Sequence, residues 1–192
     1  MVLGMTPAGY IFKKVVQQPE WLKADHVKDL YSFSGCISEN FGDYIKYWQH
    51  NGYWLFNRPS DMDHIIAKER LDRSELRLFF YEVHQLEYDE TNKRWSSFEP
   101  EASLVTSVAR PTSAHLEGFD IVSFAAGTGP ECSPLSCNSL AQSIPVNEHC
   151  LFTTFAEAKH ALEDGTFDDS EPGPFRILDR KSTRLNSSHL VI

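Results

Sequence analysis

The sequence predicts an α+β fold, with a mainly antiparallel sheet, a few short helices and a single domain. Runs of aromatic and β-branched residues, separated by turn residues, predict several strands and hairpins. Segments with a helix cap and helical periodicity are few. These segments do not alternate regularly with the predicted strands, whereas helices and strands alternate in α/β proteins with a parallel sheet. The chain has 192 residues, which suits one domain. No internal repeat of roughly 20 to 50 residues is visible.

The N-terminal third is expected to contribute strands. Residues 10–16 and 27–37 are rich in aromatic and β-branched residues, and a break at 17–20 separates them. Residues 44–56 are interrupted by Asn51-Gly52, a dipeptide typical of hairpin turns. The aromatic side chains of this segment are interpreted as core, with a ligand-binding platform as the alternative; they are Tyr44, Tyr47, Trp48, Tyr53, Trp54 and Phe56.

A helix and a long hairpin are predicted next. Ser60 is the expected N-cap of a helix that runs to about Leu71. Residues 76–88 and 95–98 alternate apolar and polar side chains around a turn at 89–93, which predicts a hairpin. Residues 119–124 form a further predicted strand.

The C-terminal part contains the clearest helix signal. Thr154 and Glu157 form a capping box, and apolar residues recur at helical spacing from Phe155 until Gly165 supplies a stop. Residues 175–178 alternate like the start of a strand. The acidic run from Glu163 to Glu171 lacks the pattern of a calcium loop. It is interpreted as a solvated connection, with recognition of a basic partner as the alternative.

The end of the chain resembles something other than protein. Residues 179–189 look like the translation of a sequencing-adapter oligonucleotide joined in frame. We therefore expect one native domain over residues 1–178, with Met5 as a second candidate start, and a non-native tail over 179–192 that truncates the final strand. Without the tail, Lys and Arg number 15 and Asp and Glu 26, so the formal charge becomes −11 instead of −9.

Charge and hydropathy exclude several function classes. An acidic chain lacks the basic surface that attracts DNA, RNA or anionic lipid, so neither nucleic acid nor membrane is an expected partner. The sequence has neither a long apolar run nor a signal-peptide pattern, which predicts a cytoplasmic protein. The glycine-rich loop at 127–130 lacks the third glycine of a dinucleotide fingerprint, and no cofactor is expected.

Three cysteines and a histidine lie close together in sequence, at Cys132, Cys137, His149 and Cys150. A zinc site is disfavoured because the Cys-x4-Cys spacing is at the upper limit for a zinc knuckle, and because His149 and Cys150 would point to opposite faces of a strand, so no metal is expected. A catalytic pair would use Cys137 as nucleophile and His149 as base, but nothing in the sequence places these side chains together.

A structural role for the cysteines has a definite form. With Ser133 as N-cap and Pro134 at the first helical position, Cys137 joins a buried stripe that continues to Ile144. Cys132 and Cys137 then occupy the two positions of a hydrophobic staple, where they either pack as reduced thiols or form a disulfide.

Three segments carry a resemblance to a known family. Residues 131–138 (ECSPLSCN), 147–150 (NEHC) and 171–176 (EPGPFR) resemble the signature of an uncharacterised family of small bacterial proteins. The resemblance spans most of residues 5–178 and implies a single bacterial cytosolic domain without assigning an activity. The family pattern continues after Leu178 with an aromatic-containing strand, which this chain lacks.

Two functions are therefore expected as alternatives. The first is a small acidic binding protein, of the immunity type that neutralises a basic protein partner, as the negative charge and the lack of a complete active-site motif indicate. The second is a Cys-dependent enzyme or redox protein that uses Cys137 with His149 or Cys132.

Overall fold

The computed structural model describes residues 4–31, 33, 51–98, 107–125, 130–138 and 140–183. The strands within these residues are β1 (Met5–Lys14), β2 (Val16–Gln17), β3 (Asp29–Leu30), β4 (Leu76–Asp89), β5 (Arg94–Ser97), β6 (Ala114–Ser123) and β7 (Phe175–Thr183). The α-helices are α1 (Asp63–Glu69), α2 (Pro134–Cys137) and α3 (Phe155–Glu163).

The main sheet is antiparallel throughout. Its strand order is β1-β4-β7-β6, and β5 pairs with the end of β4. A two-stranded ribbon is formed by β2 and β3. This architecture confirms the predicted α+β class with a mainly antiparallel sheet and few short helices.

The predicted strands are found with changed bounds. The strand expected at 10–16 begins earlier, as β1, and the hairpin is confirmed as β4 and β5. The strand expected at 119–124 begins at Ala114, because the exposed first half of β6 pairs with β7 and lacks the apolar signal of its second half. Of the strand expected at 27–37, residues 27–31 and 33 are described, and among these β3 comprises only Asp29–Leu30. Residues 32, 34–50, 126–129 and 184–192 lie outside the described residues, and so do the parts of the predicted strand, aromatic segment, glycine-rich loop and tail that fall there.

The predicted cap at Ser60 is wrong. A 3-10 turn from Pro59 to Met62 precedes α1, and Arg58 occupies its N-cap position. The backbone N–H of Arg58 donates to the Asp61 carboxylate at 3.1 Å, so the acidic side chain closes the turn before Ser60 could act as a cap.

The helix predicted after Ser133 is only partly correct. Ser133 and Pro134 occupy the predicted N-cap and first helical positions, but α2 ends at Cys137 because Asn138 leaves helical geometry. A separate 3-10 turn from Leu140 to Gln142 follows. Helix α3 is confirmed, with Thr154 and Glu157 in a reciprocal capping box.

Strand β7 extends into the segment expected to be adapter-derived. It runs from Phe175 to Thr183, so residues 179–183 occupy sheet positions. Asp179 and Arg180 are buried. The foreign origin of residues 179–192 stays a prediction.

The fold consists of two halves that repeat the same arrangement, which the sequence analysis missed. In the first half a bulge at Gly9 interrupts β1, and in the second a bulge at Gly118 interrupts β6. The backbone φ is +145° at Gly9 and +147° at Gly118, a region that favours glycine. A Cβ atom would lie 2.7 Å from a backbone carbonyl oxygen in both places.

A turn with the same backbone geometry in both halves contacts each bulge. Asn51 Nδ2 donates to the Ala8 carbonyl at 2.7 Å, and Asn147 Nδ2 donates to the Glu117 carbonyl at 2.6 Å. Each asparagine Oδ1 accepts two backbone N–H groups, located two and four residues further along the chain. Trp54 and Cys150, the third residue after each asparagine, share a φ of +62°.

The helices continue the correspondence. The spacing of 96 residues from Asn51 to Asn147 also relates Arg58 to Thr154, which are the two N-cap positions. Helices α1 and α3 follow these caps and lead to β4 and β7.

Strands β4 and β7 join the halves at the centre of the sheet. Tyr81 pairs with Gly9, Arg180 pairs with Gly118, and Tyr81 and Arg180 pair with each other. An approximate two-fold axis perpendicular to the sheet therefore passes between Tyr81 and Arg180. Two buried clusters form the core, with α1 packed into the first and α3 into the second, and each cluster contains residues of both halves.

Candidate functional site

The cysteine segment lies against the end of β6. The backbone N–H of Ser123 donates to the Cys132 carbonyl at 2.8 Å, which anchors the residue before the α2 N-cap. In α2, the Cys137 N–H donates to the Ser133 carbonyl at 2.9 Å. One helical turn thus separates Cys132 and Cys137, as the staple arrangement predicts.

The thiols of Cys132 and Cys150 do not have the environment of a catalytic nucleophile. A hydrogen bond with the Cys137 thiol, burial and the neighbouring Glu171 carboxylate raise the pKa of Cys132. Burial, with smaller effects of Asp120 and Cys137, raises the pKa of Cys150 to about 12. A nucleophilic cysteine needs a lowered pKa, so these two thiols stay protonated at neutral pH.

His149 lies in a carboxylate environment. Its Nδ1 is 2.5 Å from Asp29 Oδ1, and its Nε2 is 3.6 Å from Glu117 Oε2. The ring stacks on Tyr31, with 4.0 Å between centroids and 5° between planes. The Tyr31 N–H donates to the His149 carbonyl at 3.1 Å, so His149 fastens the segment around β3 to the Asn147 turn.

The proposed pairing of Cys137 with His149 gains no support from these contacts. In the part of the chain that the structure describes, the polar and ring contacts of His149 are with Asp29, Glu117, Glu148 and Tyr31. Cys137 is also partly exposed instead of buried in a helical stripe, because α2 ends at this residue. The dyad stays a prediction without a contact behind it.

A buried polar group that the sequence analysis did not single out lies beside the cysteine segment. Asp120 Oδ2 accepts the Phe33 N–H and the Ser133 hydroxyl, both at 2.7 Å. Lys13 Nζ donates to the Phe33 carbonyl at 2.5 Å, so the backbone N–H and the carbonyl oxygen of Phe33 are both hydrogen bonded. Burial raises the pKa of Asp120, and the hydrogen bonds and nearby cations oppose this shift.

The sequence contains a signal that could have identified the turn at Asn147, because the same turn occurs at Asn51. Asn51-Gly-Tyr-Trp-Leu-Phe and Asn147-Glu-His-Cys-Leu-Phe share their first, fifth and sixth residues. That match assigns Asn147 and Cys150 to a structural turn. Asp120 carries no such signal, because a single aspartate in an apolar strand does not indicate its partners.

An acidic surface forms at one end of the molecule, where the β4–β5 turn meets the segment after α3. Lys93 Nζ lies 2.5 Å from Asp168 Oδ1, and the Gly173 N–H donates to Glu90 at 2.8 Å. The acidic end, as we call it, contains seven carboxylates: Asp89, Glu90, Glu163, Asp164, Asp168, Asp169 and Glu171.

Two further features bear on ligands. Among the described residues, no group of three or more His, Cys, Asp or Glu side chains has an arrangement that could hold a metal ion. Within the same residues, no helix combines the length and apolar character needed to cross a membrane.

Comparisons of the chain with protein-family models, curated proteins and solved structures returned no match. The bacterial family resemblance stays a prediction.

Proposed function

We propose that this chain is a binding protein that recognises a basic protein partner through its acidic end. The observation that supports this proposal is the concentration of negative charge at the acidic end. Residues 89–94 and 159–171 contain seven carboxylates and only three Lys or Arg, a local balance of −4. An immunity-type role, in which an acidic protein neutralises a basic partner, fits this chemistry.

The carboxylates of the acidic end are held in place by their own contacts. Trp95 Nε1 donates to Glu163 at 2.9 Å, and hydrogen bonds from Lys159 and Trp95 hold the pKa of Glu163 below its usual range. The Thr166 side chain has the same effect on the pKa of Asp164. Ionised and oriented carboxylates favour complementary recognition of cations, because less side-chain freedom is lost on binding.

Two observations support binding over thiol catalysis. The raised pKa values of Cys132 and Cys150 oppose a role for either of these two residues as the catalytic thiolate at neutral pH. His149, which was the expected base for Cys137, contacts the carboxylates of Asp29 and Glu117. A binding function needs neither a thiolate nor a base.

The test uses a lysine- and arginine-rich peptide as probe at low salt. A variant with Glu163→Gln, Asp164→Asn, Asp168→Asn and Asp169→Asn removes four charges from the acidic end. We expect the Kd to rise by about tenfold or more, and the salt dependence of binding to weaken.

The matched control removes four charges elsewhere. It carries Glu20→Gln, Asp25→Asn, Glu69→Gln and Glu131→Gln and so has the same net charge as the test variant. We expect its Kd to change by less than about threefold. Equal weakening in both variants would show that net charge alone attracts the probe. That result, or a parent protein that does not bind the probe, would overturn the proposal.

A further inference from the structure

Cys132 and Cys137 differ in exposure although their thiols are hydrogen bonded to each other. Cys132 is only 4% exposed and is anchored to β6, whereas Cys137 is partly exposed at the end of α2. A reagent in solution therefore reaches Cys137 first, and the buried Cys132 thiol lies behind it. Reactive and resolving cysteines have this arrangement in proteins that respond to oxidants.

Glu171 completes the arrangement. Its carboxylate hydrogen bonds the Cys132 thiol and accepts a hydrogen bond from the Asn138 side chain. A carboxylate that accepts the S–H of a buried thiol can take its proton when the sulfur reacts. The hydrogen bond with Cys137, burial and the Glu171 carboxylate raise the pKa of Cys132, which makes it a poor first target, whereas in the second step Glu171 is in place to accept its proton.

We propose that Cys132 and Cys137 are a modification site: a dithiol that a hydroperoxide converts reversibly to a disulfide. The Cys137 thiol ionises, and its thiolate attacks one oxygen of the peroxide. The S–O bond forms, the O–O bond breaks, and the departing hydroxide or alkoxide takes up the proton that the Cys137 thiol released, so that water or an alcohol leaves. Cys132 sulfur then attacks the sulfenic sulfur of Cys137, and Glu171 takes the Cys132 proton. The S–S bond forms, the S–O bond breaks, and the departing hydroxide recovers that proton as water. The two sulfurs together lose two electrons, which the peroxide gains.

Disulfide formation would alter α2 more than β6. The two sulfur atoms must approach from hydrogen-bonding contact to about 2.05 Å. Cys132 is fixed by its backbone bond with Ser123, so the single turn of α2 takes up the movement. The α2 N-cap, Ser133, hydrogen bonds Asp120, which also holds the Phe33 N–H. Oxidation therefore acts on a hydrogen-bond chain that leads to Phe33.

The test oxidises the folded full chain with a small excess of hydrogen peroxide in a Cys36→Ser background. Remaining thiols are alkylated, and chymotrypsin cleaves after Leu135, which separates Cys132 from Cys137. We expect mass spectrometry to find the two peptides joined, with the loss of two hydrogen atoms, and dithiothreitol to release them. Circular dichroism before digestion confirms that the protein stays folded.

Three serine variants provide the controls. Cys150→Ser is expected to retain the Cys132–Cys137 bond, and Cys137→Ser to abolish peroxide-driven disulfide formation. Cys132→Ser is expected to leave a Cys137 sulfenic acid that dimedone traps. A disulfide that involves Cys150, or a Cys132–Cys137 bond that forms only in urea, would overturn the proposal. The binding test leaves the cysteines and Glu171 unchanged, so the two proposals fail independently.

Discussion

Arg180 buries a guanidinium group in an apolar part of the sheet. It is 1% exposed, and its guanidinium carbon lies 3.5 Å from the ring centroid of Phe79 and 4.7 Å from that of Tyr31. Burial lowers the pKa of Arg180 to about 10, and the charge of Asp120 partly offsets this effect. Arg180 is the pseudo-symmetric counterpart of Tyr81, and it belongs to the segment whose origin we expect to be foreign.

Replacing the buried charges by neutral groups is expected to stabilise the protein. The double variant Arg180→Met with Asp120→Asn keeps the side-chain volumes and removes two desolvation costs. We expect its free energy of unfolding, measured by urea titration, to rise by about 1–4 kcal/mol. Arg180→Met alone should gain less, because Asp120 then loses a nearby cation. A double variant less stable than the parent would contradict this interpretation.

Individual residues differ in how far their environment could be predicted from the sequence. Ser133 and Pro134 were placed correctly as the start of α2, because a proline at the first helical position is a local signal. The Ser133 hydroxyl itself donates to Asp120 and does not cap the helix. The partial exposure of Cys137 could not be predicted, because it depends on α2 ending at this residue. The contacts of His149 with Asp29 and Glu117 join residues distant in the chain, and no spacing rule relates them.

Among the elements, those defined by local signals were predicted best. The α3 capping box and the β4–β5 turn depend on residues within a few positions of one another, and both were found as expected. The first turn of α1 was predicted wrongly because two acceptors compete there, and the sequence does not show that Asp61 bonds to Arg58.

The packing of β4 against α3 makes stability depend on pH through His84. The His84 ring lies 4.8 Å from Phe155 of α3 and 5.6 Å from Trp95 of β5, between ring centroids. Burial lowers the pKa of His84, Lys159 adds to this effect and the Gly4 carbonyl opposes it. The unfolded chain therefore binds more protons than the folded protein below about pH 6.5.

Stability is expected to be fully present above about pH 6.5 and to decrease as the pH falls below it. His84→Gln removes this contribution, so its free energy of unfolding should fall less than that of the parent between about pH 7 and pH 5. Urea titrations across this range measure the difference. His160→Gln, at an exposed position near the end of α3, is the control for losing one histidine. An equal decrease in parent and His84→Gln would rule out this role for His84.

The repeat of the whole molecule escaped sequence analysis for a physical reason. The matching turns begin at Asn51 and Asn147, 96 residues apart, whereas the matching bulges at Gly9 and Gly118 are 109 residues apart. The segments between bulge and turn differ in length, so no single period aligns the halves. What repeats is the backbone geometry at a few positions, and most side chains around them differ.

The two-fold arrangement predicts equal responses to equal changes in the two halves. Gly9→Ala and Gly118→Ala each place a Cβ at a φ near +146° and against a carbonyl oxygen 2.7 Å away. We expect each substitution to lower the free energy of unfolding by about 1–3 kcal/mol, and the two costs to agree within about 1 kcal/mol. His115→Ala, at an exposed position of β6, should cost less than about 0.5 kcal/mol.

The double variant extends this prediction to the sheet as a unit. Three strand spacings of about 4.8 Å separate β1 from β6, so the two costs should add within about 0.5 kcal/mol. Because β4 and β7 pair across the centre, urea should still unfold both halves in one transition by fluorescence and circular dichroism. If one glycine tolerates alanine while the other does not, the bulges are not equivalent in energy. Two separated transitions would show instead that each half folds around its own core, with the β4–β7 pairing too weak to couple them.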